Sequence, residues 1–208
     1  MIPAFVAVFF IEAIPFYRFI ALGIFVLACL TDFLDGYLAR KLNQVTTLGK
    51  FLDPIADKLL VACALVAVCF LNREIGVLYD WGIETSLFQV LIGICAMIIL
   101  CRELFISGFR IVASSKNIIL SADKLGKIKT VFQMFALIFL IPVASIIDID
   151  GSGYLSVFNE DGSMETVAMY SVGDYFYLIG FGLLIIATLL TIVSGINYMV
   201  KNKGVLKD

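Results

Sequence analysis

The sequence predicts an all-α integral membrane protein, a polytopic bundle of six transmembrane helices with both termini cytoplasmic. Three observations lead there. Hydrophobic residues make up 62% of the 208 and charged residues 15%, too little polar surface to cover a water-facing globule. Six apolar segments reach or approach the roughly 20 residues that cross a hydrocarbon core. The Lys and Arg residues gather on one side of those segments.

The first segment, 2–14, is short and opens on Ile2-Pro3 without a basic stretch before it. It reads as a first helix truncated at its start, not as a signal peptide. Segments 19–39 and 52–71 follow, joined by a connection so short that they must be antiparallel neighbours. Segments 87–109, 128–147 and 175–200 complete the set. Of the 15 Lys and Arg, Arg18 and Arg73 are the two on the far side. By the positive-inside rule the 40–51 and 110–127 connections face the cytoplasm. The connection 148–174 then faces outward, and it carries acids but no Lys or Arg. The whole chain, 1–208, reads as a single membrane domain with that acidic outward loop.

Composition also excludes chemistries. Histidine is absent, so no Ser-His-Asp triad, Cys-His pair or His-ligated metal is available. A net charge of −2 argues against a nucleic-acid partner. The five cysteines lie in apolar stretches without a C-x-x-C pair, as buried free thiols do.

Four aspartates stand where the second and third segments meet the cytoplasmic face. Asp32 and Asp35 are three apart, Asp53 and Asp57 four apart, so each pair shares one helix face. Carboxylates near a bilayer are costly unless they face a cavity and find cations. All-oxygen ligands suit a hard divalent ion such as Mg²⁺, Mn²⁺ or Ca²⁺. Spacing alone leaves open that these are solvated helix-end acids pairing with Arg40, Lys50 and Lys58. Gly36, Ala39 and Gly49 remove bulk beside the acids, and Arg40 can fork onto phosphate oxygens. Pro54 is tolerated if Asp53 caps a helix and Pro54 sits in its first turn. The combination points to a diphosphate that carries its own metal.

The run Asp32-x2-Asp35-Gly36-x2-Ala39-Arg40-x8-Gly49-x3-Asp53-x3-Asp57 resembles the signature of the CDP-alcohol phosphatidyltransferase family at every fixed position. The segments C-R-E-L-F-I-S-G-F-R (101–110), G-K-I-K-T (126–130) and L-L-T-I-V-S-G-I-N-Y (189–198) are similar to bacterial members that use glycerol 3-phosphate as acceptor. The resemblance runs from about residue 19 to 200 and leaves 148–174 unmatched. It implies transfer of a phosphatidyl group from CDP-diacylglycerol to glycerol 3-phosphate, with CMP released, in a bacterial cell membrane with the site facing the cytoplasm. It implies Asp32, Asp35 and Asp53 as metal ligands, with Asp57 as general base and near enough to share a metal. Two ions, Mg²⁺ or Mn²⁺, are the implied cofactors. Asp32, Gly36, Ala39, Arg40 and Gly49 are the implied CDP-diacylglycerol positions. The resemblance further implies a homodimer, and Ala62, Ala64 and Ala67 offer small residues for close helix contact.

A dianionic acceptor needs a basic pocket. Arg102 and Arg110 lie about two turns apart on one helical face, and Lys127 and Lys129 open the next segment. Each alone reads equally well as part of the positive-inside belt. Glu103 is placed to orient Arg102. Asp148-Ile-Asp150-Gly-Ser152-Gly153-Tyr-Leu155 follows the opening of a calcium-binding loop, yet the twelfth position is Asn159 rather than Glu. Two rival classes remain. A cation carrier would place acids at mid-membrane in repeated halves, whereas these acids crowd one end. A non-catalytic scaffold gives no reason for acids and glycines at fixed offsets. Sister acceptors (inositol phosphate, serine, phosphatidylglycerol) share the aspartate signature, so the acceptor choice rests on 101–110 and 126–130.

Overall fold

The structure is a computed structural model. It describes residues 1–11, 16–41, 47–70, 78, 82, 84–115, 124–150, 153–158 and 163–202, with the side chains of residues 33, 36, 37, 39, 40, 47–57, 112, 114, 115, 124, 153–155, 158, 165, 166 and 168 outside that description. Helix α1 spans Ile2–Phe10, α2 Tyr17–Lys41, α3 Thr47–Cys69 and α4 Thr85–Ser115. Helix α5 spans Lys124–Leu140, α6 Val143–Asp150 and α7 Val172–Lys201. Between α6 and α7, strands β1 (Gly153–Phe158) and β2 (Met164–Met169) form an antiparallel hairpin. Part of the connection expected as loop is therefore ordered strand.

Among the described residues three stretches are long and apolar enough to cross a membrane: Thr85–Ile111, Leu125–Asp150 and Val172–Lys201. The middle one is α5 and α6 in series. Pro142 separates them, since its ring nitrogen has no hydrogen to donate; Ile141 N–H bonds back to the Leu137 carbonyl and Ile146 N–H to the Pro142 carbonyl, one on each side of the break. Helix α3 begins at Thr47 and runs through Pro54, several residues before the start expected from an Asp53 cap. The proline then costs one backbone bond, to the carbonyl of Lys50, within a continuous helix.

Contacts fix the directions of the helices. The Phe5 and Phe25 rings are 5.9 Å apart, and the Arg18 guanidinium lies 4.2 Å over Phe9, so α1 runs antiparallel to α2. Arg18 N–H reaches Ser145 Oγ and Cys29 Sγ lies 4.0 Å from Met134 Sδ, so α2 runs antiparallel to α5 and α6. Helix α7 also opposes α5 and α6. A Cβ on Gly180 would stand 2.7 Å from Leu140 Cγ, and one on Gly173 would stand 2.6 Å from Ile147 Cγ1. Glycine is required at both close approaches. The start of α7 is tied by Ser171 N–H to Asp174 Oδ2 and Val172 N–H to Asp150 Oδ2, both at 2.9 Å.

These pairings bring the C-terminal ends of α2, α4 and α7 and the N-terminal ends of α3 and α5 to one end of the bundle. The core behind them is apolar, from Phe5 and Phe25 through Leu65 and Ile99 to Leu137 and Leu184. Ala64 and Ala67 are buried in that core. They pack within this chain, which corrects their expected role in a contact between two copies.

Candidate active site

Helix α2 stays helical through the aspartate run, so Asp32 and Asp35 emerge one turn apart at its end. Both are exposed. They line a cleft of about 220 Å³ with Met1, Ile2, Ala28, Cys29, Thr31 and Leu60. The Thr31 hydroxyl bonds back to the carbonyls of Leu27 and Ala28 at 2.9 and 3.0 Å, as threonine does on a helix. Leu60 comes from α3, three residues beyond Asp57, so the cleft is bounded by the helix that carries the second acid pair. The α3 backbone places Asp53 and Asp57 one turn apart. The side chains of Gly36, Ala39, Arg40, Gly49, Asp53 and Asp57 lie outside the described residues. Among the described residues no three His, Cys, Asp or Glu converge. Asp32 and Asp35, two carboxylates lining this cleft, have the donor chemistry a hard divalent cation requires.

The basic residues divide. Arg102 and Lys129 meet at Glu103: Arg102 Nη1 lies 3.3 Å from Glu103 Oε1, and Lys129 Nζ is ion-paired to the same oxygen. Arg102 Nη2 also donates to Ser194 Oγ at 2.8 Å. Lys129 is 3% exposed and Arg102 15%, while Glu103 at 26% keeps the cluster open to solvent. Arg110 sits two turns along α4, with Nε donating to Tyr198 Oη at 3.3 Å and the guanidinium 5.6 Å above the same ring. Lys127 is exposed. It takes no part in the ion pairs around Glu103.

Several participants make contacts that the sequence did not assign to them. Lys58, one residue after Asp57, donates to Ser107 Oγ, and Ser107 donates to the Glu103 carbonyl at 2.6 Å. Lys58 and Arg102 both act electrostatically on Lys129, so the cations of α3, α4 and α5 share one neighbourhood. Ser194 and Tyr198 receive the two arginines from α7. Spacing held a signal for them: Ser194 and Tyr198 are one turn apart, as are Glu103 and Ser107.

The chain is a helical membrane bundle with an aspartate-lined cleft and, among the described residues, a cluster of cations around Glu103 at the same end. The chain belongs to the CDP-alcohol phosphatidyltransferase family, which it matches over residues 1–193. It is similar to the CDP-diacylglycerol–glycerol-3-phosphate 3-phosphatidyltransferase of Rickettsia bellii, with 34% identity over 197 residues, 95% of this chain and 86% of the relative. The Bacillus subtilis protein of the same name is 38% identical over 125 residues, 60% of this chain and 56% of the relative. A cardiolipin synthase (CMP-forming) of Oryza sativa is 39% identical over 146 residues, 67% of this chain and 41% of the relative.

Proposed function

We propose that this protein transfers the phosphatidyl group of CDP-diacylglycerol to glycerol 3-phosphate, forming phosphatidylglycerophosphate and releasing CMP. The observation that carries the reading is the pairing of Arg102 and Lys129 on the carboxylate of Glu103, with Lys58 tied to the same turn through Ser107, at the same end of the bundle as the Asp32–Asp35 cleft. A positive, partly open pocket suits a phosphate monoester, and an arginine fork matches its oxygens. Relatives named for this reaction support the same choice.

Asp32 and Asp35, with Asp53 and Asp57, would hold Mg²⁺ or Mn²⁺, two ions in the full site. When bound, these neutralise the diphosphate and the departing charge on CMP. Gly36, Ala39, Arg40 and Gly49 would serve the nucleotide and its phosphates. Arg102, Lys129 and Arg110 hold the acceptor phosphate, with Lys127 at the entrance. The free hydroxyl of the acceptor attacks the phosphatidyl phosphorus and an oxygen–phosphorus bond forms. Its proton passes to Asp57, and the bond to CMP breaks with the electron pair leaving on CMP. The charge asymmetry supports a reading in which this end of the bundle and both termini face the cytoplasm, and six crossings in a bacterial cell membrane complete it. The working unit is a homodimer.

The test is CMP release by purified protein in detergent with CDP-diacylglycerol, Mg²⁺ and one acceptor at a time. Glycerol 3-phosphate should exceed inositol phosphate, serine and phosphatidylglycerol. Preference for phosphatidylglycerol would move the chain toward the reaction of the rice relative and leave the aspartate site standing.

A further inference from the structure

Among the described residues Glu103 is the acid on which Arg102 and Lys129 meet, and its place needs a physical account. Its carboxylate is bonded by Arg102 and Lys129 at once, from α4 and α5. Its backbone carbonyl accepts from Ser107, which in turn accepts from Lys58 of α3. Arg102 is pinned a second time by Ser194 of α7. Four helices therefore converge on one residue. The Arg102 Nε is buried and has no partner.

Charge sharpens the point. Among the described residues, Arg102 and Lys129 bring two positive charges to the single carboxylate of Glu103 in a half-buried location. Buried charge of one sign is strongly disfavoured unless an anion joins it. A phosphate monoester carries about −1.5 to −2 at pH 7 and is an anion of the kind such cations accept. Without Glu103 the excess would be larger, and the long Lys129 and Arg102 side chains would lose the contact that fixes their directions.

We infer that Glu103 is a positioning residue for the acceptor: it holds Arg102 and Lys129 in one phosphate-facing arrangement. This rests on the proposed use of glycerol 3-phosphate. Glu103 does not itself touch the phosphate, which like charge forbids. It acts through the two cations. Lys58 and Ser107 tie the same turn of α4 to the helix of the second acid pair, so the acceptor is presented at a fixed height relative to Asp57.

The experiment uses the full chain in maltoside micelles. Glycerol 3-phosphate binding is read from broadening of its ³¹P resonance, and initial rates are measured against each substrate for wild type, Glu103→Gln, Glu103→Ala and Glu103→Asp. Residues that orient a ligand-binding group typically matter on the order of tenfold to a hundredfold. Glu103→Gln should weaken glycerol 3-phosphate binding and raise its KM on the order of tenfold. The KM for CDP-diacylglycerol and the melting temperature should stay at their wild-type values, and Glu103→Asp should recover part of the loss. Unchanged glycerol 3-phosphate binding in Glu103→Gln overturns the inference. So does an equal loss toward both substrates, or a lowered melting temperature that accounts for the change, since a merely structural role predicts these. Failure of the functional reading looks different: wild type binds glycerol 3-phosphate in a Glu103-dependent way yet releases no CMP. Wild type that does not bind it at all overturns both.

Discussion

Gly195 of α7 lies directly against Arg102 of α4: a Cβ there would stand 3.3 Å from Arg102 Cγ and 3.6 Å from its Nε. The missing side chain lets the guanidinium lie across the helix and reach Ser194. Alanine at this position gains helix propensity, up to about 1 kcal/mol relative to glycine. Gly195→Ala should therefore keep or raise the melting temperature while weakening glycerol 3-phosphate use a few-fold. Gly195→Leu should displace Arg102 outright and raise the KM for glycerol 3-phosphate by about tenfold, as loss of one charged hydrogen bond would. Steady-state rates beside thermal melts separate the two effects. A parallel fall in stability and activity would mean that the glycine serves packing alone.

The four acceptor cations should not be equivalent. Arg102 is pinned by Glu103 and Ser194, and hydrogen bonds to charged groups contribute about 1.5–3 kcal/mol. Arg102→Ala should therefore lower kcat/KM for glycerol 3-phosphate by roughly 10- to 100-fold. Arg102→Lys should recover little, because an ammonium cannot fork. Lys129→Ala should follow closely, Arg110→Ala should cost less, and exposed Lys127→Ala should lie nearest wild type. Initial rates at varied glycerol 3-phosphate check the order. Equal, small effects at all four would return them to the positive-inside belt.

Much of this was legible because the chemistry is local in sequence. Asp32 and Asp35 sit one turn apart on a helix, and a fixed spacing reports that directly. Arg102 with Arg110 was legible for the same reason, through the helical repeat. Glu103 beside Arg102 was legible too, but the partners on other helices were not. Ser194 meets Arg102 across 92 positions and Glu103 meets Lys129 across 26, and no period within one helix encodes a contact between helices. Lys58 stood among residues whose charge the membrane alone explains, so its bond to Ser107 left no separate mark. The hairpin 153–169 was missed because its strands are short, and an acidic, glycine-bearing stretch reads as loop.

Gly180 tests the packing of α5 on α7. A Cβ there would stand 2.7 Å from Leu140 Cγ and 3.1 Å from Phe139 Cβ, closer than side chains tolerate. Overpacking of this kind typically costs about 1–3 kcal/mol. Gly180→Val should lower the melting temperature in detergent and reduce the amount of folded protein. The KM values of whatever folds should stay unchanged, since the contact lies at the far end from the cleft. An unaltered melt would mean that the two helices separate more easily than this contact implies.

Asp150 tests the calcium-like string. Its Oδ2 accepts from Val172 N–H at 2.9 Å, so the carboxylate caps the start of α7. Removing a cap typically costs about 1 kcal/mol. Asp150→Ala should show that loss in a thermal melt, while Asp150→Asn, whose amide oxygen can still accept, should not. Added Ca²⁺ should leave the wild-type melt where it is. A rise with Ca²⁺ that Asp150→Asn abolishes would restore the calcium reading.

The aspartates should separate into two behaviours. Asp32 and Asp35 stand together at the cleft, and a neutral amide is a weak ligand for a hard cation. Asp32→Asn and Asp35→Asn should therefore shift the Mg²⁺ dependence of the rate to far higher concentration and nearly abolish turnover at the usual one. Asp57→Asn should leave CDP-diacylglycerol binding largely intact and lower kcat by about 10² to 10⁴, the usual worth of a general base. Histidine is absent from the chain, so no imidazole can take over the proton. The checks are Mg²⁺ titrations of the initial rate and a separate measurement of CDP-diacylglycerol binding for each variant. Full activity with normal Mg²⁺ dependence in Asp32→Asn or Asp35→Asn would remove that residue from the metal site. Joint loss of nucleotide-lipid binding and turnover in Asp57→Asn would make Asp57 chiefly a metal ligand, and the acceptor's proton would then have to leave by way of water.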